Sequence, residues 1–554
     1  MKKLICLILL FFLLSNTAIA TISSPHVNEK ILNEESEELQ TPTIPYADIY
    51  VDFSNTQGPW DGTYENPFQH IQDAIDSAEN NDLIYVFKGN YYESLSIDKP
   101  IFLKGEKKSD TFILGSISIE GTNNVIIKHF TIGNLQNPPE EYLVRIYDSS
   151  NISIKQNIFS NFTLNSIFKN IFVISIYYSS FVKIFENSIC NIRSRSRSYG
   201  IYVTNVFKSK FSYNNIQNLS GSHSKGIYLK NTVKDSIVSF NTIIDIKGNW
   251  ADGIYIGDDS NENIITENII NKINGGFSDG IEVDDCSNNI ISKNKISEVG
   301  FLKGNSAGIE LIGTVYYSTI SENIIYNITG DGPTKGIALS SKCNDNIIRK
   351  NSINNIISIS KSVGITINLL SNITISENEI KNIIMDDLFG RGSIAIELWE
   401  VANFTISENL IDNHQTGICI INCNQGMVYK NTIDNTILGV GIDDFNLHGR
   451  PIFILNTNFT TFTKNLFLQL KSPRDVFFIF QHVIEENEEY KGGIPDSYDS
   501  SERHLSNIWD NNYWYRPRIL PKKISGDIYV YKSLVIIKVP INNYDNNPLF
   551  SYTV

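Results

Sequence analysis

Short alternations of apolar and polar residues recur along most of the chain. An apolar-x-x-Asn-x-apolar motif returns about every 27 residues, as in "IFENSI", "ITENII" and "ISKNKI". A second motif, Gly-Ile-x-aliphatic, keeps step with the first, as in "GIYI" and "GIEV". Alternation over about four residues predicts short β-strands. Because no helix-length periodicity separates these strands, they cannot form β-α-β units.

A repeat of this length without helices predicts an all-β solenoid, a parallel β-helix of about thirteen coils. Equivalent residues of successive coils should stack about 4.8 Å apart, with Ile and Val filling the interior. Asparagine is expected at the turns because it tolerates left-handed backbone angles. Stacked amides can also form a hydrogen-bonded ladder along the axis. The motif asparagines are Asn157, Asn187, Asn214, Asn241, Asn268, Asn294, Asn323, Asn351, Asn378, Asn409 and Asn431, with continuations at Asn465 and Asn511.

The ends of the chain depart from the repeat. Residues 67–79, "PFQHIQDAIDSAE", carry apolar residues on one helical face and predict an amphipathic helix that caps the N-terminal opening. The sequence divides into a signal peptide (1–20), a flexible acidic linker (21–46) and an N-terminal cap with the first coils (47–120). The repeats follow (121–470), and then irregular C-terminal coils and a cap (471–554).

Composition and charge limit the partners. The 554 residues are 41% hydrophobic and carry a formal net charge of -14, which repels nucleic acid and anionic membranes. The start "MKKLICLILLFFLLSNTAIA" has two lysines, a short apolar run and a small-x-small end, the pattern of a secretory signal peptide. No later stretch is apolar enough to predict a membrane span. We therefore expect an exported protein, secreted or at the cell surface, without a transmembrane segment in the mature chain.

Two segments carry a family resemblance. Residues 50–106, from "YVDFSNTQGPWDG" to "FLKGE", resemble the opening of secreted archaeal and bacterial right-handed parallel β-helix proteins. "NIWDNNYW" (507–514) and "NNYDNNP" (542–548) resemble the end of the same group. The group includes nitrous-oxide-reductase accessory (NosD-like) proteins and the carbohydrate-binding and sugar-hydrolase, pectate-lyase-like superfamily. The resemblance implies a right-handed β-helix and a polysaccharide partner, whereas Arg516 and Arg518 replace acidic residues and leave no inherited metal role.

Aligning the coils by their glycines predicts which side chains share a column. The glycines are Gly200, Gly226, Gly253, Gly280, Gly308, Gly336, Gly364 and Gly417, with Ser393 taking the place in one coil. Positions one before and two after each glycine should point outward. The predicted substrate-binding residues on this face are Tyr199, Tyr202, Tyr228 and Tyr255. The candidate catalytic residues are Asp252, Asp279, Glu282 and Glu310.

These residue types suit carbohydrate chemistry. Sugar rings stack on aromatic faces, and two nearby carboxyl groups can protonate and attack a glycosidic bond. Three functions remain open: a polysaccharide-binding face, a glycoside hydrolase or lyase on the same face, and a structural or adhesive surface protein without a catalytic site. A merely solvated face would also carry carboxylates. No cofactor or metal is predicted, with calcium at Asp258, Asp284 and Asp285 as the one alternative.

The cysteines are predicted to be free. Cys286, Cys343 and Cys423 fall in nearly one column but two and three coils apart. These separations, about 10 Å and 14 Å from the strand spacing, exceed the distance of about 7 Å that a disulfide can bridge.

Overall fold

The computed structural model describes residues 46–136, 140–300, 304–385, 392–434 and 450–455, and shorter stretches between residues 457 and 545. Residues 1–45, which hold the predicted signal peptide and nearly all of the predicted linker, lie outside the described residues. Most of the predicted C-terminal cap lies outside them too. Among the described residues, no helix is long and apolar enough to cross a membrane.

The strands are numbered in chain order. In the N-terminal part they are β1 Ile49–Val51, β2 Asp82–Val86, β3 Gly89–Tyr91, β4 Leu95–Ile97, β5 Ile101–Gly105, β6 Thr111–Ile113, β7 Ile117–Glu120, β8 Ile126–Lys128, β9 Thr131–Gln136, β10 Tyr142–Tyr147, β11 Ser153–Lys155, β12 Ile158–Leu164, β13 Ile171–Tyr177, β14 Lys183–Phe185 and β15 Ser188–Ser194. The central strands are β16 Arg197–Thr204, β17 Lys210–Ser212, β18 Asn215–Ser220, β19 His223–Lys230, β20 Ile237–Ser239, β21 Thr242–Lys247, β22 Trp250–Gly257, β23 Ile264–Thr266, β24 Ile269–Asn274, β25 Phe277–Asp284, β26 Ile290–Ser292, β27 Lys295–Val299, β28 Asn305–Ile312, β29 Thr319–Ser321, β30 Ile324–Gly330, β31 Thr334–Leu339 and β32 Ile347–Arg349. The last are β33 Ser352–Ser358, β34 Ser362–Asn368, β35 Ser371–Ser376, β36 Glu379–Met385, β37 Ser393–Trp399, β38 Ala402–Ser407, β39 Leu410–Asp412, β40 Thr416–Ile421, β41 Asn424–Tyr429, β42 Thr432–Ile433, β43 Arg450–Leu455, β44 Thr461–Thr463, β45 Leu466–Phe467, β46 Val476–Val483, β47 Ile508–Asp510, β48 Tyr513–Trp514, β49 Lys522–Lys532 and β50 Val535–Asp545.

The strands form three parallel sheets that run along the solenoid axis. From β10 to β49, each coil adds one strand to the third sheet (β10, β13, β16 and onward), one to the first sheet (β11, β14, β17 and onward) and one to the second sheet (β12, β15, β18 and onward). The described pairings between coils are parallel, and β49 pairs with β50 in the antiparallel sense. An all-β parallel solenoid is therefore confirmed.

The number of coils differs from the predicted thirteen. Among the described residues, the first sheet has 17 strands and the second has 16. The thirteen motif asparagines follow strands β11 to β47 of the first sheet, and four further strands of that sheet (β1, β2, β5 and β8) precede them. The predicted count of thirteen included only coils that carry the asparagine motif, and the first coils, which were expected within residues 47–120, lack it.

The interior is a continuous aliphatic core. Each coil points the alternate residues of its strands inward, so that one column holds Ile227, Ile254, Ile281 and Ile309 in register, all fully buried. Glycine is required beside this column, because a Cβ at Gly253 would lie 2.5 Å from Ile270 Cγ2 and 2.6 Å from Gly280 O.

A ladder of buried asparagines runs beside the core. Asn268 Nδ2 donates to Asn294 Oδ1 at 2.9 Å and to Val238 O at 2.9 Å. The same arrangement continues from Asn157 to Asn465. The predicted ladder exists, but the predicted reason for its position is wrong, since the left-handed angle falls on the preceding residue, for example Glu267 with φ 57° and Lys293 with φ 56°. The amides of these asparagines satisfy buried backbone groups, as Asn268 does for Asn241 N–H and Val238 O.

The N-terminal segment contains one short helix among the described residues. This helix, α1, covers Ile71–Ser77, a shorter span than the predicted 67–79. Ile71, Ala74 and Ile75 are buried in the main core. The Glu93 carboxylate accepts from the backbone N–H groups of Ile71 (2.9 Å) and Gln72. That α1 closes the end of the solenoid stays a prediction.

Candidate functional site

The outer face of the third sheet collects all eight residues that the glycine alignment singled out. One column pairs Tyr199, Lys225, Asp252, Asp279, Ala307, Lys335 and Val363 in register. A second column pairs Tyr202, Tyr228, Tyr255, Glu282, Glu310, Ala338 and Thr366. We call this surface the third-sheet face. Residues far apart in the chain are neighbours on it because the coils stack in register.

Four carboxyl groups meet at the centre of the face, and we call Asp252, Asp279, Glu282 and Glu310 the acidic cluster. One oxygen of each of the first three lies within 4.8 Å of the others. Like charges this close repel in a poorly solvated site, so the cluster needs either protons or cations.

Lysines supply part of the compensating charge. Lys225 Nζ donates to Asp252 Oδ2 and lies 3.7 Å from Glu282 Oε2. The same ammonium lies 3.7 Å from the centre of the Tyr255 ring, a cation–π contact. On the other side of the cluster, Lys335 Nζ donates to Glu310 Oε1 at 2.8 Å. The four carboxyl groups therefore share two ammonium groups.

Two carboxyl groups of the acidic cluster, those of Asp279 and Glu282, hold protons more tightly than usual. The pKa of Asp279 lies well above its ordinary value because burial disfavours its charged form and Glu310, Asp252 and Glu282 add negative charge. Burial, together with the charge of Asp252, raises the pKa of Glu282 to about 8. A carboxylic acid protonated near neutral pH is able to donate a proton to a substrate.

Accessibility separates the cluster into two layers. Asp252 and Asp279 are buried, and Asp279 Oδ1 accepts from the backbone N–H of Ala307 at 3.0 Å. The side chains of Glu282 and Glu310 are 17% and 20% exposed. A ligand on this face would therefore touch Glu282 and Glu310, while Asp252 and Asp279 would set their charge and position from beneath.

The four tyrosines pack mainly against one another. Tyr199 and Tyr228 are only 4% and 9% exposed, and the rings of Tyr228 and Tyr255 meet edge to face at 4.8 Å. Tyr202 and Tyr255 are half-buried. Burial raises the pKa of Tyr202 to about 12. The tyrosines thus form a wall beside the acidic cluster and offer little free ring face.

The exposed aromatic surface lies on the neighbouring column. Trp250 and Phe277 are 46% and 43% exposed, and their rings stack at 4.4 Å with an interplanar angle of 19°. We call them the aromatic pair. They share β22 and β25 with the acidic cluster and point to the same side, since Trp250 precedes Asp252 by two residues and Phe277 precedes Asp279 by two. The column three residues before each glycine would have revealed them.

One acidic residue of the face was missed because a coil was misaligned. Val363 pairs with Ile394 and Ile365 with Ile396, so Ala395 stands in the glycine column and the prediction that Ser393 does so is wrong. In the correct register Glu397 follows Thr366, accepts from Thr366 Oγ1 at 3.1 Å and is held by Lys361 Nζ at 2.6 Å.

The predicted calcium alternative falls at the edge of the same face. Asp258 pairs with Lys230 (3.2 Å), Asp284 accepts from Tyr255 OH (2.9 Å), and Asp285 accepts from the backbone N–H of Thr314 (2.7 Å). Asp252, Asp279 and Glu282 also have oxygens close enough to share a cation. The Lys225 ammonium contacts Asp252 and Glu282 and already neutralises part of that group, which leaves less negative charge to attract a metal ion.

The chain is similar to known β-helix proteins. Residues 199–357 and 244–396 match the family described as right handed beta helix region. This match spans residues 199–396 and agrees with the stacked parallel sheets and with the resemblance predicted from the sequence. A comparison with curated proteins found no significant match.

Several solved structures are similar over most of their length. DFA-IIIase from Arthrobacter chlorophenolicus A6 in complex with DFA-III has 11% identity over 64% of this chain and 93% of its own, with a TM-score of 0.41. A mannuronic acid specific polysaccharide family 6 lyase from human gut microbiota has 12% identity over 74% of this chain and 88% of its own (TM-score 0.37). The mannuronan C-5 epimerase A-module from Azotobacter vinelandii has 12% identity, 73% and 92% coverage, and a TM-score of 0.31. These scores are too low to support an inference about activity.

Proposed function

We propose that the chain binds a polysaccharide on the third-sheet face. The observation that carries this proposal is the exposed, stacked aromatic pair of Trp250 and Phe277, which lies on the same strands as the acidic cluster. A sugar ring offers an apolar face for stacking and hydroxyl groups for hydrogen bonding, and the third-sheet face presents partners of both kinds.

The coil repeat suits a polymer better than a single sugar. Side chains of the face recur at the strand spacing of about 4.8 Å, so a chain lying along the axis meets a new set of contacts at each coil. The half-buried Tyr202 and Tyr255 continue the same column on the N-terminal side of Glu282. Lys335 and Lys361 continue the polar surface on the C-terminal side.

Cleavage of the bound glycan is a second candidate function, and the raised pKa of Glu282 favours it. Glu282, protonated below a pH of about 8, would donate its proton to the glycosidic oxygen. Glu310, in register on the next coil and paired with Lys335, would attack the anomeric carbon or take a proton from an attacking water. The leaving sugar carries away the donated proton as its new hydroxyl hydrogen. Water supplies the oxygen of the new reducing end.

Export remains a proposal that rests on the signal pattern of residues 1–20. Terminal sequencing of the protein recovered from culture medium and from cell envelopes tests it. A mature N-terminus near residue 21 is expected, and an intact Met1 in the medium or confinement to the cytosol contradicts export.

Binding and cleavage are tested on one polysaccharide panel. Purified wild-type protein, Glu282→Gln and Glu310→Gln are compared with a control variant, Glu377→Gln. The Glu377 carboxylate lies 3.5 Å from Lys350 Nζ, and this ion pair is not on the third-sheet face. We expect retention of at least one polysaccharide by the wild type and the Glu377 control. Release of new reducing ends that disappears in both site variants establishes cleavage. Retention of no glycan at all favours the structural or adhesive alternative and contradicts the proposal.

A further inference from the structure

The outer face of the first sheet carries positive charge in an otherwise acidic chain. Lys104, Lys128 and Lys155 are paired in register on β5, β8 and β11, so their side chains form one column. Lys183 stands in the adjacent column, in register with Ser153. Stacking places these ammonium groups at about the strand spacing of 4.8 Å, although the chain as a whole has a net charge of -14.

These lysines are not neutralised by carboxylates. The ion pairs found among the described residues involve none of the four. The pKa of Lys128 lies below its ordinary value because it is partly buried and because Lys155 and Lys104 repel its charge. The nearby Glu186 carboxylate is engaged by Gln156 Nε2 at 2.8 Å. The column therefore holds unbalanced positive charge.

A groove runs beside the lysines. It encloses about 390 Å³, and Phe102, Ile126 and Phe185 form its apolar lining, with Lys155 and Lys183 among its walls. Asn151 Nδ2 donates to Asn124 Oδ1 at 2.6 Å on its polar side. We call this feature the basic groove. It combines a surface for the apolar face of a ring with repeated cations.

We propose that the basic groove binds an anionic polysaccharide, one with a carboxylate or sulfate group on its sugar units, independently of the third-sheet face. One cation per coil matches a polymer with regularly spaced single charges. A nucleic acid duplex carries one charge per about 1.7 Å, a density that these few lysines do not balance, and the acidic remainder of the chain repels it.

The test compares two charge-matched triple variants. Lys128→Gln/Lys155→Gln/Lys183→Gln removes the groove charge, and Lys293→Gln/Lys350→Gln/Lys430→Gln removes the same charge from exposed residues at another corner of the solenoid. Binding at low ionic strength is measured for polygalacturonate, dextran sulfate, neutral dextran and a single-stranded oligonucleotide. Circular dichroism verifies that both variants keep the wild-type fold.

We expect the wild type to bind polygalacturonate or dextran sulfate and not neutral dextran, and the first two probes distinguish carboxylate from sulfate ligands. The groove variant should lose about a hundredfold in affinity, since each lysine contributes about fivefold. The control variant should lose less than about threefold, because its lysines lie away from the groove. Four results would each overturn the proposal. The two variants lose affinity equally, the wild type binds neutral dextran as well as the anionic polysaccharides, it binds neither anionic polysaccharide, or it binds the oligonucleotide more tightly than both.

Discussion

Glu282 and Glu310 are Cα partners on neighbouring strands, and their side chains occupy the same outer column of the third sheet. Glu282 lies near Lys225, whereas Glu310 is paired with Lys335. Two identical residues one coil apart therefore have different surroundings. Burial and the charge of Asp252 raise the pKa of Glu282 to about 8, and the nearby Lys225 opposes that rise.

The asparagine ladder should contribute strongly to stability. Asn268→Ala removes the donations to Val238 O and Asn294 Oδ1, and it leaves the backbone N–H of Asn241 without its acceptor. We expect a loss of about 2–4 kcal/mol in the free energy of unfolding, because buried polar groups lose their partners. Urea denaturation followed by circular dichroism measures it.

Asn215→Ala is the matched control for the ladder. Asn215 is exposed at the start of β18 and stands outside the buried ladder. The loss there should stay within about 0.5 kcal/mol, as for ordinary surface substitutions. Equal losses in Asn268→Ala and Asn215→Ala would show that the ladder has no special role.

Stability should fall as the pH rises, in part because of Glu282. Its pKa rises from an ordinary 4.5 to about 8 on folding, so the folded chain binds the proton more tightly between these values. The contribution of this proton is complete below a pH of about 4.5 and is lost as the pH rises to about 8. Glu282→Gln should therefore leave the urea midpoint unchanged at pH 4 and stabilise the protein at pH 8 by about 4 kcal/mol. A variant that is less stable than the wild type at pH 8 would contradict this.

Loss of the aromatic pair should weaken glycan binding without unfolding the protein. Trp250→Ala removes a half-exposed ring beside the acidic cluster, and we expect affinity for the retained polysaccharide to fall by about tenfold or more. Phe240→Ala provides the comparison, because Phe240 stacks on Tyr213 at 4.9 Å in a similarly exposed pair elsewhere on the solenoid. Isothermal titration calorimetry on both variants measures the difference. If Phe240→Ala weakens binding as much as Trp250→Ala, the ligand does not lie on the third-sheet face.

The thiols should be unreactive in the folded protein. Cys190, Cys286, Cys343, Cys419 and Cys423 are free, and only Cys190 is not buried. Burial raises the pKa of Cys343 to about 12 and that of Cys423 to about 11, which suppresses the reactive thiolate. Alkylation at pH 8 followed by mass spectrometry should modify, of these five cysteines, Cys190 at most in the native state and every one after unfolding. Rapid native labelling of Cys343 or Cys423 is the contrary result.

The sequence predicted the register of the third sheet in the central coils because glycine marks the same position from Gly200 to Gly364. At these positions a Cβ would clash with the next coil, so the recurrence of glycine has a steric cause. The columns predicted from the glycines agree with the observed strand pairs from Tyr202 to Thr366. The alignment failed where Ala395 replaces glycine, and Glu397 was lost with it.

Burial on the outer face was not predictable from alternation alone. The alternation of side chains along a strand assigns each residue to the inside or the outside of the solenoid. It does not say whether outward side chains cover one another. Tyr199 and Tyr228 point outward and are still buried, because neighbouring aromatic rings such as Phe172 and Tyr202 pack on Tyr199.

The left-handed residues before the asparagine ladder were missed for a related reason. Backbone angle and side-chain hydrogen bonding were both assigned to asparagine, whereas adjacent residues such as Glu267 and Asn268 divide these roles.

An engineered disulfide tests most directly that coil stacking joins these distant carboxyl groups in one site. In a Cys190→Ser background, Glu282→Cys/Glu310→Cys places two thiols one coil apart, at about 4.8 Å between Cα atoms and within disulfide range. Tyr255→Cys/Glu310→Cys places them two coils apart, at about 9.6 Å and beyond that range. After mild oxidation and proteolysis, mass spectrometry should find the linked 282–310 peptides and no linked 255–310 peptides. Absence of the first link, or equal yield of the second, would contradict the account.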